Sequence, residues 1–431
     1  MRVVAISAPW EFLDQLHLHS TLGALNLREK PGGRKAVFAA LYLSEGGPIG
    51  FIWWALPTWL RTQGVPVEQI AGLTALLVLP WTFKFLWAPL IDRFGVQRGR
   101  LRWWIAGAQL LMGLTLLPLF WLSPANDFQL VWWLLLAHAM AAATQDVGVD
   151  ALAIHSAKPE ELGHLNGCMQ AGMLLGRSVF GGGALMLAVS FGWNGIFVGL
   201  IACTWGSMAL LAFCAEPKPG SSGAGGESVG TLLRAFVGSR TAWWGLAFAL
   251  IAGCGFEAVG ILAGPYLVDR TVPQETIGLF FALPVVGAML VGGLIGGRAA
   301  DRFGKVRTVR WFLVLLAMMV AGIGLMDGIG VMGSTGRIAW LAVLYFGIGL
   351  FTASSYALFM SISDKRMGAT QFSAFMGATN GCEAWAGWSG GMLAGRFGYP
   401  VAFVAMAVLS LIGTVCLRRL KGVSGAVISD R

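Results

Sequence analysis

Apolar residues along this chain run in long blocks and not in short alternations. Each block holds roughly 20–28 residues, and the breaks between them are short and rich in Gly, Pro and Arg. A helix rising ~1.5 Å per residue crosses the ~30 Å hydrocarbon layer of a bilayer with about that many residues. Twelve blocks occur, at about 36–60, 68–91, 102–122, 129–153, 162–190, 193–214, 241–268, 274–299, 308–328, 338–362, 369–395 and 400–418. The period-2 alternation of a transmembrane barrel strand is absent. The pattern predicts an all-α polytopic membrane protein with twelve transmembrane helices.

Polar positions divide this array in two. The longest low-complexity polar stretch is "EPKPGSSGAGGES" at 216–228, a flexible-linker composition. It implies six-helix bundles at 36–214 and 241–418, a linker at 215–240, and end segments at 1–35 and 419–431. Internal repeats support the division. "DRFGVQRGRLRWW" (92–104) recurs as "DRFGKVRTVRWF" (301–312), at an offset of 209. "WLRTQGVPVEQIAGL" (59–73) parallels "YLVDRTVPQETIGL" (266–279), and "GWNGIF" (192–197) parallels "GYPVAF" (398–403). Repeats at this spacing describe two pseudo-symmetric bundles about an axis along the membrane normal, with a cavity between them near the midplane. In this the chain resembles the major facilitator superfamily, whose best-known motif is the Asp-Arg-x-Gly-x-Arg pattern after spans two and eight. The resemblance covers residues 36–418 and implies the major facilitator fold with alternating access.

A net charge of +9 invites a nucleic-acid reading, but its placement argues otherwise. Of the thirty Lys and Arg, only Arg61, Arg270, Arg337 and Arg396 fall in loops on the side opposite the termini, and Lys84 and Arg177 fall within spans. The rest lie on the side holding both termini, the positive-inside pattern of cytoplasmic ends. The basic balance thus reports topology and contact with anionic lipid headgroups, with no nucleic-acid partner. The six cysteines are scattered over five spans without CxxC spacing, as small buried hydrophobes are. No GxxxxGK[ST] or HExxH occurs, so no ATPase, metal site, cofactor or enzyme is expected. A monomer moving a small molecule is the expected state, with energy for active transport drawn from an ion gradient or a partner subunit. Residues 9–27 suit an interfacial amphipathic helix or a flexible tail, and no cleavable signal peptide is evident.

A charge at the bilayer centre costs about 2.5–3.5 kcal/mol on insertion scales, so each one inside a span needs a reason. The candidates are Glu45, Lys84, Asp146, Asp150, Arg177, Glu257 and Glu383. Asp92 and Asp301 occur in both halves and belong to shared machinery, whereas Lys84, Asp146, Asp150 and Arg177 have no counterparts. Unmatched charges are the better candidates for substrate or proton work. Asp146 and Asp150 sit four apart and share a helix face. For Asp150, at the end of span four toward the termini, the superfamily resemblance implies a cytoplasmic latch or gate with Asp92, Arg93 and an Arg from 98–102. Asp301 and Arg302 are the matching gate residues of the second half. Asp146, one turn deeper, has two readings, latch packing or contact with a proton or substrate. Lys84 either pairs with one of these acids or meets an anionic substrate. Arg177 is too deep to reach the interface, which favours a substrate or carboxylate contact. Glu45, Glu257 and Glu383 are candidate carriers of a coupling proton.

Weaker features complete the set. Pro48 breaks the backbone ladder within span one. Glycines at four-residue spacing (Gly172 and Gly176, Gly260 and Gly264, Gly387, Gly391 and Gly395) read as close helix packing. His138 and His164 read as hydrogen-bonded structural residues. Most tryptophans mark interfaces, while Trp53, Trp54, Trp81, Trp385 and Trp388, with Gln145, are candidate cavity-lining residues. A sensor would call for a signalling domain, and an intramembrane aspartyl enzyme for acids on two facing helices; neither pattern is present.

"LPWTFKFLWAPLIDR" (79–93), "AATQDVGVDALA" (142–153) and "NGCMQAGMLLG…GGG" (166–183) are similar to the peptide–acetyl-coenzyme A–drug transporter family. Within it they resemble the branch of bacterial muropeptide and siderophore permeases, which are importers held to be proton-driven. That resemblance marks Lys84, Asp92, Arg93, Gln145, Asp146 and Asp150 as motif positions. It departs at Leu174, where siderophore permeases carry an arginine that here stands one turn on, as Arg177. Muropeptide permeases often have further hydrophobic segments beyond twelve. The expectation is therefore proton-coupled symport of a mid-sized, anionic or zwitterionic solute, a ferric siderophore first and a muropeptide second. Efflux of a drug or metabolite is the alternative.

Overall fold

The structure is a computed structural model that describes residues 31–91, 94–95, 100–123, 126–156, 162–214, 238–363 and 368–428. Ten helices among these are both long and apolar enough to cross a membrane. Two particulars turn ten into the expected twelve. The run Gly167–Leu211 is one helix by length, but Gly192 inside it has φ 67°, which reverses the chain in a single residue. That conformation costs glycine nothing and penalises any side chain. The helix Gly368–Phe397 is long enough to span, yet its many Gly, Ser, Thr and Asn residues hold its hydropathy too low to count.

The spans are then α1 (Gly32–Thr62), α2 (Val67–Leu86), α3 (Leu101–Phe120), α4 (Phe128–Ala153), α5 (162–191) and α6 (193–211). The second half has α7 (Arg240–Asp269), α8 (Gln274–Phe303), α9 (Lys305–Gly328), α10 (Ser334–Ile362), α11 (Gly368–Phe397) and α12 (Tyr399–Leu420). The α11–α12 turn repeats the α5–α6 turn, with Gly398 at φ 83°. An even number of passes puts both ends on one face, called here the termini face; the opposite one is the far face.

Small residues set how closely the helices approach. A Cβ on Gly46, Gly50, Gly172 or Gly176 would run into the facing backbone between α1 and α5, and one on Gly391 or Gly395 into α2. Gly260 departs from the packing expected of it. Outside its own turn of helix, no heavy atom of the described residues lies within 4 Å of its Cβ position, and it borders the central cavity. Pro48 does not end α1, which continues into a π turn at Phe51–Ala55. Similar turns interrupt α5 at Ser178–Gly182 and α8 at Phe281–Val285. The three meet: Ser178 Oγ donates to the Ala282 carbonyl at 2.6 Å, and Trp54 stacks on Phe281 with centroids 5.5 Å apart.

Candidate functional site

A cavity of about 250 Å³ lies between the halves. The first half supplies Trp53, Trp54, Trp81 and Arg177; the second supplies Glu257, Tyr345, Ser355, Tyr356, Asn380 and Glu383. Trp53 meets Trp81 edge-on at 5.5 Å and Phe281 meets Tyr345 at 6.3 Å, so the aromatic wall is itself packed. The widest departures from a bilayer interior, one guanidinium and two carboxyls, thus converge where the two halves face each other. Arg177 comes from α5, Glu257 from α7 and Glu383 from α11.

A second polar group lies about one turn nearer the termini face, since Glu45 precedes the cavity residue Ile49 by four positions on α1. Lys84 Nζ lies 2.5 Å from Asp146 Oδ2. The Tyr42 hydroxyl donates to Asp150. Glu45 is 2% exposed, within electrostatic reach of Asp146, Asp150 and Lys84, and its Oε2 has no hydrogen-bond partner among the described residues. Behind it runs an amide–hydroxyl chain. Gln145 Nε2 donates to the Leu41 carbonyl (3.2 Å) and Ser44 Oγ (3.1 Å), and Gln109 Nε2 donates to Ser207 Oγ (2.6 Å).

A third group closes the far face. Arg61 at the end of α1 lies 2.6 Å from Asp269 at the end of α7, and the Tyr399 hydroxyl donates to the same carboxylate at 2.7 Å. Nearby, Asp327 pairs with Arg270 (2.5 Å) and Arg337 (3.0 Å) and accepts from the Tyr266 hydroxyl (3.0 Å). Arg61 and Asp269 come from the two copies of one repeated segment, so the repeats meet face to face across the axis. Gln274 Nε2 adds a bond to the Leu185 carbonyl at 2.9 Å, again from one half to the other.

Against known proteins, the profile of the Major Facilitator Superfamily matches residues 38–388. The chain belongs to that superfamily. It is 29% identical over 370 residues to the anhydromuropeptide permease of Escherichia coli K12, covering 79% of this chain and 70% of that one. It is 27% identical over 399 residues to an uncharacterised protein of Haemophilus influenzae, covering 87% and 91%. Among solved structures it is similar to a bacterial homologue of the human lysosomal transporter Spinster in an inward-facing, unoccupied conformation. That match has a TM-score of 0.74 at 14% identity, over 91% of this chain and 97% of that one. The protein is thus a multi-pass secondary transporter of the superfamily, and not an enzyme.

As a major facilitator transporter, the chain places its sequence candidates unevenly. Arg177, Glu257, Glu383, Trp53, Trp54 and Trp81 come together in the cavity. Glu45, Lys84 and Asp146 gather outside it, joined by Asp150. Three expected lining residues lie elsewhere. Gln145 is fully buried against α1; Trp385 donates its indole N–H to the Leu250 carbonyl at 2.7 Å; Trp388 is 54% exposed on the outer surface. Depth along a helix was right for them, but helix phase turned them away. Of the gate residues, Asp92 and Arg93 lie outside the described residues. Asp301 and Arg302 are exposed, with the Arg302 guanidinium over the Phe303 ring at 5.5 Å. For Asp150 the partner seen is Tyr42, which sequence reasoning passed over because tyrosine carries no charge to stand out. His138 is buried, its Nδ1 donating to the Met112 carbonyl at 2.9 Å. The side chain of His164 lies outside the described residues, as do 1–30 and most of the linker, 215–237.

Proposed function

We propose that this transporter imports a mid-sized, charged organic solute of the muropeptide class, coupled to protons, by alternating access in the bacterial inner membrane with both termini cytoplasmic. The observation that carries the reading is the cavity between the halves, with Arg177 facing Glu257 and Glu383 and tryptophans on its wall. Aromatic faces suit the apolar side of a sugar ring, and the charged groups suit a peptide. The name of the Escherichia coli relative puts a muropeptide ahead of a ferric siderophore. The difference in length that favoured a siderophore bears on segments outside the shared core.

The far-face ties, Arg61–Asp269 and Gln274–Leu185, hold the halves together on the side away from the termini. Breaking them opens the opposite access, the rocking that this architecture implies. The coupling proton belongs to the group around Glu45 and Asp146, because it adjoins the cavity through α1 yet stays out of the solute's path. Positive-inside charge, with lipid headgroups as its partner, supports the orientation, and the monomer remains the simplest unit.

The test is uptake into proteoliposomes with and without an imposed pH gradient, offering anhydromuropeptides beside ferric siderophores. Gradient-driven accumulation of anhydromuropeptide is expected. Accumulation of the siderophore instead revises the substrate. No gradient-driven entry of either, or outward movement of an amphipathic drug, sinks the import reading.

A further inference from the structure

Four residues that line the central cavity each carry a shielded polar atom with no hydrogen-bond partner among the described residues: Trp81 Nε1, Arg177 Nε, the Tyr345 hydroxyl and Ser355 Oγ. Orphaned polar atoms are few in folded proteins, and four on one wall system ask for a common partner. Their chemistry sorts by half. Trp81 and Arg177, from the first half, only donate, and the guanidinium is permanently charged. The second half brings the carboxyls of Glu257 and Glu383 beside hydroxyls that donate or accept. Arg177 and Glu383 interact electrostatically, yet no ion pair within 4.0 Å joins them among the described residues. Opposite charges are therefore held apart across a space that a solute can fill.

We propose that the solute bridges the two halves end to end. Its carboxylate sits on Arg177 and Trp81 of the first half, and its protonated amine on Glu257 and Glu383 of the second. The inference rests on the reading of this cavity as the solute site, and it specifies the solute's chemistry: a free carboxylate and a free amine on one molecule, as in a peptide. A planar guanidinium matches a carboxylate in two-point geometry, and the indole N–H adds a third donor. A bridging zwitterion also ties each half to the other, so only a molecule with both ends draws the cavity shut. A solute with one charged end leaves one half ungripped.

Quenching of the cavity tryptophans measures binding without requiring transport. The probes are trialanine, N-acetyl-trialanine and trialanine amide, alongside an anhydromuropeptide with a tripeptide stem and the same molecule acetylated at its amine. In the wild type, blocking either end is expected to weaken binding at least tenfold. Arg177→Gln should erase the preference for carboxylate over amide and keep the preference for free amine. The double substitution Glu257→Gln with Glu383→Gln should do the reverse, and Arg177→Lys should restore part of the carboxylate preference. Equal weakening of every probe in both variants overturns the proposal, as does loss of amine preference in Arg177→Gln. Failure of every probe to bind the wild type overturns it too. Discrimination among the trialanine probes without anhydromuropeptide uptake sinks only the substrate assignment. Anhydromuropeptide uptake indifferent to the blocked amine sinks only the bridging inference.

Discussion

Two charged groups lie at opposite depths of this transporter, and their charges are balanced in opposite ways. At the far face, Asp269 and Asp327 are met by Arg61, Arg270 and Arg337, and two tyrosine hydroxyls complete their bonding. Toward the termini, among the described residues, Lys84 is the cation placed among Glu45, Asp146 and Asp150, and one oxygen of Glu45 is left without a partner. A fully paired group has one preferred arrangement and resists change. An under-paired group rearranges when a proton or a cation arrives. The difference suggests which group braces the molecule and which one switches, and it can be broken by substitution.

The largest effect is expected at the switching group. Asp146→Asn keeps the shape and removes the charge that holds Lys84, and should cut gradient-driven uptake by about a hundredfold or more, while tryptophan quenching by solute persists. Normal uptake in Asp146→Asn, with failure in Asp150→Asn, would reduce the deeper acid to packing. Next comes the brace. Asp327→Asn strands two guanidiniums and should cost about 3 kcal/mol of stability, read as a lower melting temperature in detergent, with coupling intact in the protein that folds. An unchanged melting temperature would mean that the far-face group is not a brace.

Smaller effects sharpen the same contrast. Tyr42→Phe takes from Asp150 a hydrogen bond to a charged group, worth about 1.5 kcal/mol or more; an uptake rate roughly tenfold lower is expected, with a smaller fall in melting temperature than Asp327→Asn gives. Arg61→Ala removes a partly exposed pair worth about 1 kcal/mol at most. It should shift the balance of the two access states about fivefold, seen as faster labelling of a cysteine placed at Gly260 by an impermeant thiol reagent added from the far side. No change in labelling would show that Arg61–Asp269 decorates the closed face without holding it.

Hydropathy made the architecture legible because each span must satisfy its own backbone in lipid, and that demand overrides local detail. It showed even α11, as the block 369–395, although its composition falls short of a strongly apolar span. The turn between α5 and α6 was legible too, since "GWNGIF" and "GYPVAF" each open on the glycine that takes the positive φ. Charges in the spans led to most groups in the two inner sites. Neutral partners were not legible: Tyr42, Tyr345 and Ser355 become special only when folding brings them beside a charge or an empty space. Trp385 and Trp388 failed for another reason. Residues three apart on a helix differ by about 60° in direction, so depth alone cannot say which of them faces inward.

The π turns in α1, α5 and α8 bear on how this wall can change over time. Each holds one residue more than an α turn of the same height, so everything beyond it is rotated by about 100° against an unbroken helix. The stripe that packs each helix near one face is therefore out of phase with the stripe it shows near the other. Loss of a single residue from Phe281–Val285 would re-aim the whole wall on one side of the bulge while leaving the other side in register. For such a helix, a one-codon deletion is a larger step than any substitution, and a route by which relatives with the same span pattern can come to accept different solutes.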